Sequence, residues 1–130
     1  MYSKTTNGVT VTVTPYFLED QSSPQEDHYV WAYQVNIINT SSNTIKLNHR
    51  SWVIIDANGK IMNIQGEGVV GEFPILKPGE SFEYTSGTPL KTSNGFMQGF
   101  YLMSQNNGEQ LKIDIPAFSL DSPYGKKNLH

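Results

Sequence analysis

The chain has 130 residues, which suits one domain with one hydrophobic core, and 37% of its residues are hydrophobic. Nine Lys and Arg against 12 Asp and Glu give a net charge of −3, and the scattered basic residues argue against a nucleic-acid partner. The absence of cysteine excludes disulfides and sulfur-ligated zinc and favours a reducing compartment. No apolar run approaches the roughly 18 residues of a membrane-spanning helix, so we expect a cytoplasmic protein without membrane insertion.

The first half of the chain shows the two-residue periodicity of β-strands. Residues 8–14 place three valines on one face and three threonines on the other, which is typical of a half-buried strand. A longer alternating run covers residues 28–39, after a polar segment that is predicted to be a loop. The next run covers 44–56. Its phase changes between Asn48 and Trp52, which predicts a bulge or two adjoining strands.

The second half begins with a tight-turn signal at Asn58-Gly59, followed by a return strand over 60–65. Residues 66–78 contain three glycines and two prolines and are predicted to form a loop. Residues 87–94 are predicted to be another polar connection. The remaining predicted strands are 81–86, 96–104 and 111–118.

Seven to eight strands, with a turn about every ten residues and no helical pattern of normal length, predict an all-β fold. This pattern favours two packed antiparallel sheets, that is, an immunoglobulin-like or fibronectin-III-like β-sandwich. We expect a single domain over 1–130, with its core at about 8–120 and a flexible tail at 121–130.

Several segments of the chain match a known pattern in order. They are WVIIDANG at 52–59, GEGVVGEFP at 66–74 and LKPGESFEYTSGTPL at 76–90, and the similarity continues over 95–103 and 113–120. Together they resemble the ApaG family, which is also called CorD. The resemblance spans nearly the whole chain.

The resemblance implies a fibronectin-III-like sandwich and an association with cobalt and magnesium efflux. It also implies kinship with domains of eukaryotic F-box and polymerase-interacting proteins, which are interaction modules. The family supplies no agreed reaction and no agreed catalytic residues, so none is transferred here. One difference concerns the Arg-His-Trp of bacterial members, because this chain has Arg50-Ser51-Trp52 and thus keeps the arginine without the histidine.

Gly66, Gly68 and Gly71 have the spacing of a dinucleotide-binding fingerprint. That fingerprint opens a helix after a parallel strand, whereas two prolines follow closely here. Two interpretations stay open. The glycines adopt backbone angles that other residues avoid, or their amides form a nest for a phosphate or pyrophosphate, which two neighbouring glutamates would oppose.

Two further groups of side chains are candidates for ligand binding. Arg50, together with His49, could bind an anion at a strand end, or the pair could pack over Trp52. The acidic residues within 19–28 could attract a hard cation, but they lack a recognised ligand spacing. A solvated acidic loop is therefore expected, and neither a metal nor a cofactor is predicted.

Catalysis is not indicated, because the chain has three histidines and no nucleophile-elbow motif. The leading hypothesis is a non-enzymatic module that binds a protein, through a sheet face or by adding a strand at an edge. Tyr29 and Tyr33 would form the contact patch if they face solvent. The alternative is a phosphate-bearing ligand at the Gly66–Gly71 loop, and an enzyme would need at least three converging carboxylate or His ligands. The protein is expected to be a monomer or a homodimer with an unknown partner.

Overall fold

The strands of this chain follow the alternation of apolar and polar residues in its sequence. The computed structural model describes residues 1–125. Valines 9, 11 and 13 are fully buried while the intervening threonines remain partly exposed. The described residues form nine strands and two short 3₁₀-helices, Glu19–Gln21 and Pro24–Glu26. The strands are β1 (Tyr2–Thr6), β2 (Val9–Phe17), β3 (Tyr29–Asn39), β4 (Ile45–Asp56), β5 (Ile61–Glu67), β6 (Ile75–Leu76), β7 (Ser81–Leu90), β8 (Gly95–Gln105) and β9 (Gln110–Leu120).

All strand pairs are antiparallel, and they form two sheets that pack face to face. The first sheet has the order β1-β2-β3-β7, and the second has the order β5-β4-β8-β9, with β6 beside the start of β4. This architecture confirms the predicted antiparallel β-sandwich. Among residues 1–125, no helix is both long and apolar enough to cross a membrane.

The inner faces of the two sheets meet in one apolar core. Tyr33, Trp52 and Phe118 pack ring against ring, with centroids 5.3 to 6.0 Å apart. Tyr29 and Tyr33 are only 8% and 6% exposed, so these tyrosines belong to the core. The solvent-facing tyrosine patch that the sequence left open as a partner site does not form, because filling the space between two sheets requires large side chains from β3.

Four elements differ from the sequence prediction. The short strand β6 lies within residues 66–78, which were predicted to form a loop. β1 was not predicted, because its side chains are mostly polar and exposed. β7 continues through the predicted connection as far as Leu90, since its last residues pair with the start of β3. β5 extends to Glu67 and so takes Gly66 out of the predicted loop. The predicted irregularity in β4 is a bulge between Leu47 and His49.

The segment after β9 packs on the sandwich as far as the structure describes it. The indole nitrogen of Trp31 donates a 2.8 Å hydrogen bond to the carbonyl oxygen of Asp121, and Ser122 is buried. Tyr124 contacts the rings of Phe17 and Tyr29. Residues 121–125 of the predicted tail therefore lie against the core, and residues 126–130 fall outside the described part of the chain.

The two flanks of the sandwich differ. On one flank, β1 and β2 pack against β9, and the Lys4 ammonium lies 3.2 Å from the Asp114 carboxylate. On the other flank, the sheets end in β5 and β7, which pair with β4 and β3 respectively and not with each other in the described structure. We call this second side the open flank. It is the place where side chains from both sheets border a cleft.

Candidate binding groove at the open flank

Two adjacent depressions lie between β5 and β7, and together we call them the groove. The polar pocket has a volume of about 230 Å³, and the apolar pocket has a volume of about 260 Å³. Side chains with hydrogen-bonding groups line the polar pocket: Tyr33, Arg50, Tyr84, Ser86 and Thr88. The apolar pocket is bordered mainly by Met62, Pro89 and Leu90. The side chains of His28, Asp56, Lys60 and Lys91 also line it. Such a cleft with a few converging polar groups is a typical ligand site.

Arg50 supplies the only formal charge in the described lining of the polar pocket. Its Nη1 donates hydrogen bonds to the carbonyl oxygens of Glu67, at 2.9 Å, and Gly68, at 2.8 Å. These bonds tie the end of β5 to β4. The guanidinium is partly buried, and no carboxylate among residues 1–125 forms an ion pair with it. A positive charge in this setting favours an anionic ligand.

Gly66 makes room for Arg50. The two residues are directly paired across β4 and β5. A Cβ at position 66 would lie 2.7 Å from Nη2, 2.8 Å from Cζ and 2.9 Å from Nη1 of the arginine. The guanidinium thus crosses the strand where a side chain would stand, and only glycine allows this close approach.

Gly68 and Gly71 lie in a tight hairpin that follows β5. Both have positive φ angles, +62° and +79°, and Val70 between them has a φ of 45°. The amides of Val69 and Glu72 bond each other's carbonyls at 2.9 and 2.8 Å, and the amide of Gly68 donates to Asn48 at 2.9 Å. Two amides of the Gly66–Gly71 loop, those of Gly68 and Val69, are thus engaged with protein carbonyls. A short strand, β6, follows this hairpin, in place of the helix that a dinucleotide fingerprint requires.

Two tyrosines, Tyr33 and Tyr84, line the polar pocket. The hydroxyls of Tyr84 and Tyr101 are hydrogen-bonded, and Tyr33 bonds the side chain of Ser86. Burial raises the pKa of all three tyrosines above its usual value, although the charge of Arg50 acts in the opposite direction. These hydroxyls are therefore neutral near pH 7 and can only donate or accept hydrogen bonds.

The other predicted candidates do not join this groove. His49 neighbours Arg50 along β4, where successive side chains point to opposite faces, and it does not line the polar pocket. The acidic residues of the 19–28 segment are exposed, and no group of three or more Asp, Glu or His residues within 1–125 could hold a metal ion. Sequence reasoning singled out Arg50 and Gly66 but missed Ser86 and Thr88. Their alternation with Tyr84 along one strand could have revealed them.

Comparisons with known proteins agree on one family. A family model described as the ApaG domain matches residues 19–105. The chain is 54% identical to Protein ApaG of Paramagnetospirillum magneticum and 53% identical to Protein ApaG of Parvibaculum lavamentivorans, over the full length of both partners in each case. A crystal structure of an ApaA protein from Bordetella pertussis superposes with a TM-score of 0.86 at 43% identity, covering 88% of this chain and 94% of that one.

The contact between Gly66 and Arg50 can be tested by a double-mutant cycle. Gly66→Ala should lower the free energy of unfolding by about 1 to 3 kcal/mol, because the added methyl group would displace the guanidinium from its two hydrogen bonds to Glu67 and Gly68. In an Arg50→Ala background the same change should cost much less, since the overlapping atoms are gone. Urea unfolding of the four proteins measures this coupling. Equal costs in both backgrounds would show that the glycine is not there to accommodate the arginine.

The buried tyrosines should make stability fall at high pH. An unfolded tyrosine ionises near pH 10, and the raised pKa values of Tyr33, Tyr84 and Tyr101 keep the folded forms neutral beyond that point. Their contribution is therefore complete below about pH 10 and is lost above it, by up to about 1.4 kcal/mol per pH unit and group. Urea unfolding across this range should show the decline, which Tyr84→Phe should make shallower. Identical profiles for wild type and variant would contradict this.

Proposed function

This chain belongs to the ApaG domain family, and we propose that it is a non-enzymatic module that binds an extended segment of a partner protein at its open flank. The observation that supports this most is the pair of strand edges, β5 and β7, that border the groove without pairing with each other. An unpaired strand edge is a template for a strand from another chain. The opposite flank is occupied by contacts between β1 and β9.

The hydrogen bonds of β3 indicate which backbone N–H and C=O groups of β7 could pair with an added strand. The carbonyl of Val30 accepts a bond from Leu18 on the far side of β3, so the backbone groups of Val30 point away from β7. Its cross-strand partner Pro89 must then point its own backbone away from β3, which suits a residue without an N–H. Thr85 and Gly87 lie four and two residues before Pro89 on the same strand. Their N–H and C=O groups therefore also point away from β3, toward the open edge.

The chemistry of the groove supports binding over catalysis. Its tyrosine hydroxyls have raised pKa values and are poor nucleophiles near neutral pH, and the one charged side chain in the described lining of the polar pocket is a guanidinium, which stays protonated. A free phosphate or pyrophosphate at the Gly66–Gly71 loop has weaker support, because the amides of Gly68 and Val69 are already bonded to protein carbonyls. We therefore favour a protein partner.

The proposal also covers the expectations that came with the family resemblance. An association with cobalt and magnesium efflux would pass through contact with another protein, without direct binding of the cation by this domain. We place that contact in the cytoplasm, in keeping with a chain free of cysteine.

Site-specific photo-crosslinking in living cells tests where a partner binds. A photoreactive phenylalanine analogue at Ile64, which is 44% exposed and lines the polar pocket, should give adducts with a partner protein. Two exposed positions away from the groove serve as controls for the same analogue. Ser3 lies on β1, on the flank opposite the open flank, and Gln98 lies on the outer face of the second sheet. Mass spectrometry then identifies the partner and the cross-linked peptide.

We expect a recurrent partner segment at position 64 that is absent at the two control positions. Partner adducts at Ser3 or Gln98, with none at Ile64, would place the interface elsewhere and overturn the proposal. The same partner at all three positions would show that the adducts do not report a defined interface.

A further inference from the structure

We infer that the bound segment carries an acidic side chain for the polar pocket and an apolar side chain, two residues away, for the apolar pocket. This inference rests on the proposed function and specifies the class of partner. The ligand is an extended peptide with Asp or Glu at one position and an aliphatic residue two positions before or after it.

The acidic preference follows from the charge of the polar pocket. Arg50 is partly buried there, and its two hydrogen bonds to residues within 1–125 both come from Nη1, so Nη2 and Nε have no acceptor in this part of the chain. The described lining contains no Asp or Glu to neutralise it. A guanidinium with free donors and no acidic partner recognises a carboxylate well, because the two groups form charge-assisted hydrogen bonds.

Two hydroxyl side chains complete the polar pocket. Ser86 and Thr88 follow each other on the inward face of β7, on the side of the pocket that β7 supplies. The only hydrogen bond of the Thr88 hydroxyl within the described residues is a long one, 3.4 Å, to the carbonyl oxygen of Pro89. This hydroxyl can therefore turn to donate to a ligand carboxylate. Donors from both sheets, the guanidinium of Arg50 and the hydroxyl of Thr88, would then bond the acidic group, while the Ser86 hydroxyl is bonded to Tyr33.

The apolar pocket favours an aliphatic side chain. Met62 from β5 and Leu90 from β7 face each other across it, and Leu90 is buried. An aliphatic side chain placed there removes apolar surface from water, at roughly 25 cal/mol for each Å². Lys60 and Lys91 also line this pocket, and with Asp56 as the one carboxylate in its described lining they leave a net positive charge that suits an acidic peptide.

The spacing of the pockets sets the spacing in the peptide. Met62 in the apolar pocket and Ile64 in the polar pocket are two residues apart on β5, and Leu90 and Thr88 are two residues apart on β7. Two residues of a strand span roughly 6.6 Å, and side chains two residues apart face the same way. A strand added at this flank would therefore direct one side chain of an i, i+2 pair into each pocket.

Four sets of blocked seven-residue peptides test the inference. Their third and fifth positions carry Glu with Leu, Gln with Leu, Glu with Asn, or Gln with Asn, in both orders, and the other positions hold Thr or Val. Fluorescence anisotropy measures binding to the full chain. We expect peptides with Glu and Leu to bind at least about tenfold more tightly than those in which either residue is replaced.

A pair of variants separates pocket chemistry from overall charge. Ser86→Asp places a carboxylate inside the polar pocket, where it should pair with Arg50 and abolish the preference for Glu over Gln. Ser3→Asp adds the same charge to the exposed strand β1, at the opposite edge of the first sheet, and should keep the preference. Thermal unfolding of both variants confirms that they are folded.

The outcomes bear separately on the two proposals. Binding with no preference for Glu, or a preference that survives Ser86→Asp in the folded protein, overturns the inference and leaves the proposed function standing. If no peptide set binds, the inference is also overturned, and the cross-linking at Ile64 decides whether the proposed function survives.

Discussion

The closure of the sandwich along one flank is the constraint on which the rest of the structure depends. Tyr2 packs on Phe118, and Lys4 pairs with Asp114, so β1 and β9 hold the sheets together on that side. Twisted sheets that meet along one flank separate along the other. There the sequence supplies two edge strands with nothing described between them but the groove. The binding capacity that we propose is a direct result of this asymmetry.

Arg50 gives the open flank its chemical character. Its charge could have been screened by a carboxylate, but the guanidinium instead donates to two backbone carbonyls of the β5–hairpin segment and lies over a glycine. Backbone carbonyls orient a guanidinium without cancelling its charge. The same contacts therefore stabilise the end of β5 and keep a positive potential in the polar pocket. This dual role explains why Gly66 and Arg50 should be energetically coupled.

The sequence was informative where side-chain alternation was strong. The valines of β2 and the alternating aromatics of β3 are enough to predict strands and a sandwich. β1 escaped prediction because a polar edge strand has no apolar face, and the end of β7 escaped because Gly87 and Pro89 are rare in strands until tertiary pairing selects them. The same alternation places Tyr29 and Tyr33 on the apolar face of β3 with Trp31, and only the packing of the second sheet shows that this whole face is buried. Arg50 and Gly66 were each noticed, but only the pairing register of β4 with β5 brings them together.

Amide hydrogen exchange of the free chain, resolved by residue, tests most directly whether the β7 edge is open. We expect the amides of Glu83, Thr85 and Gly87 to exchange at nearly the rate of an unstructured chain, because they point away from β3. The amides of Tyr84, Ser86 and Thr88 should be strongly protected by their bonds to β3. Equal protection of both sets would mean that another element or a second copy covers this edge, and the open flank would not be available to a partner.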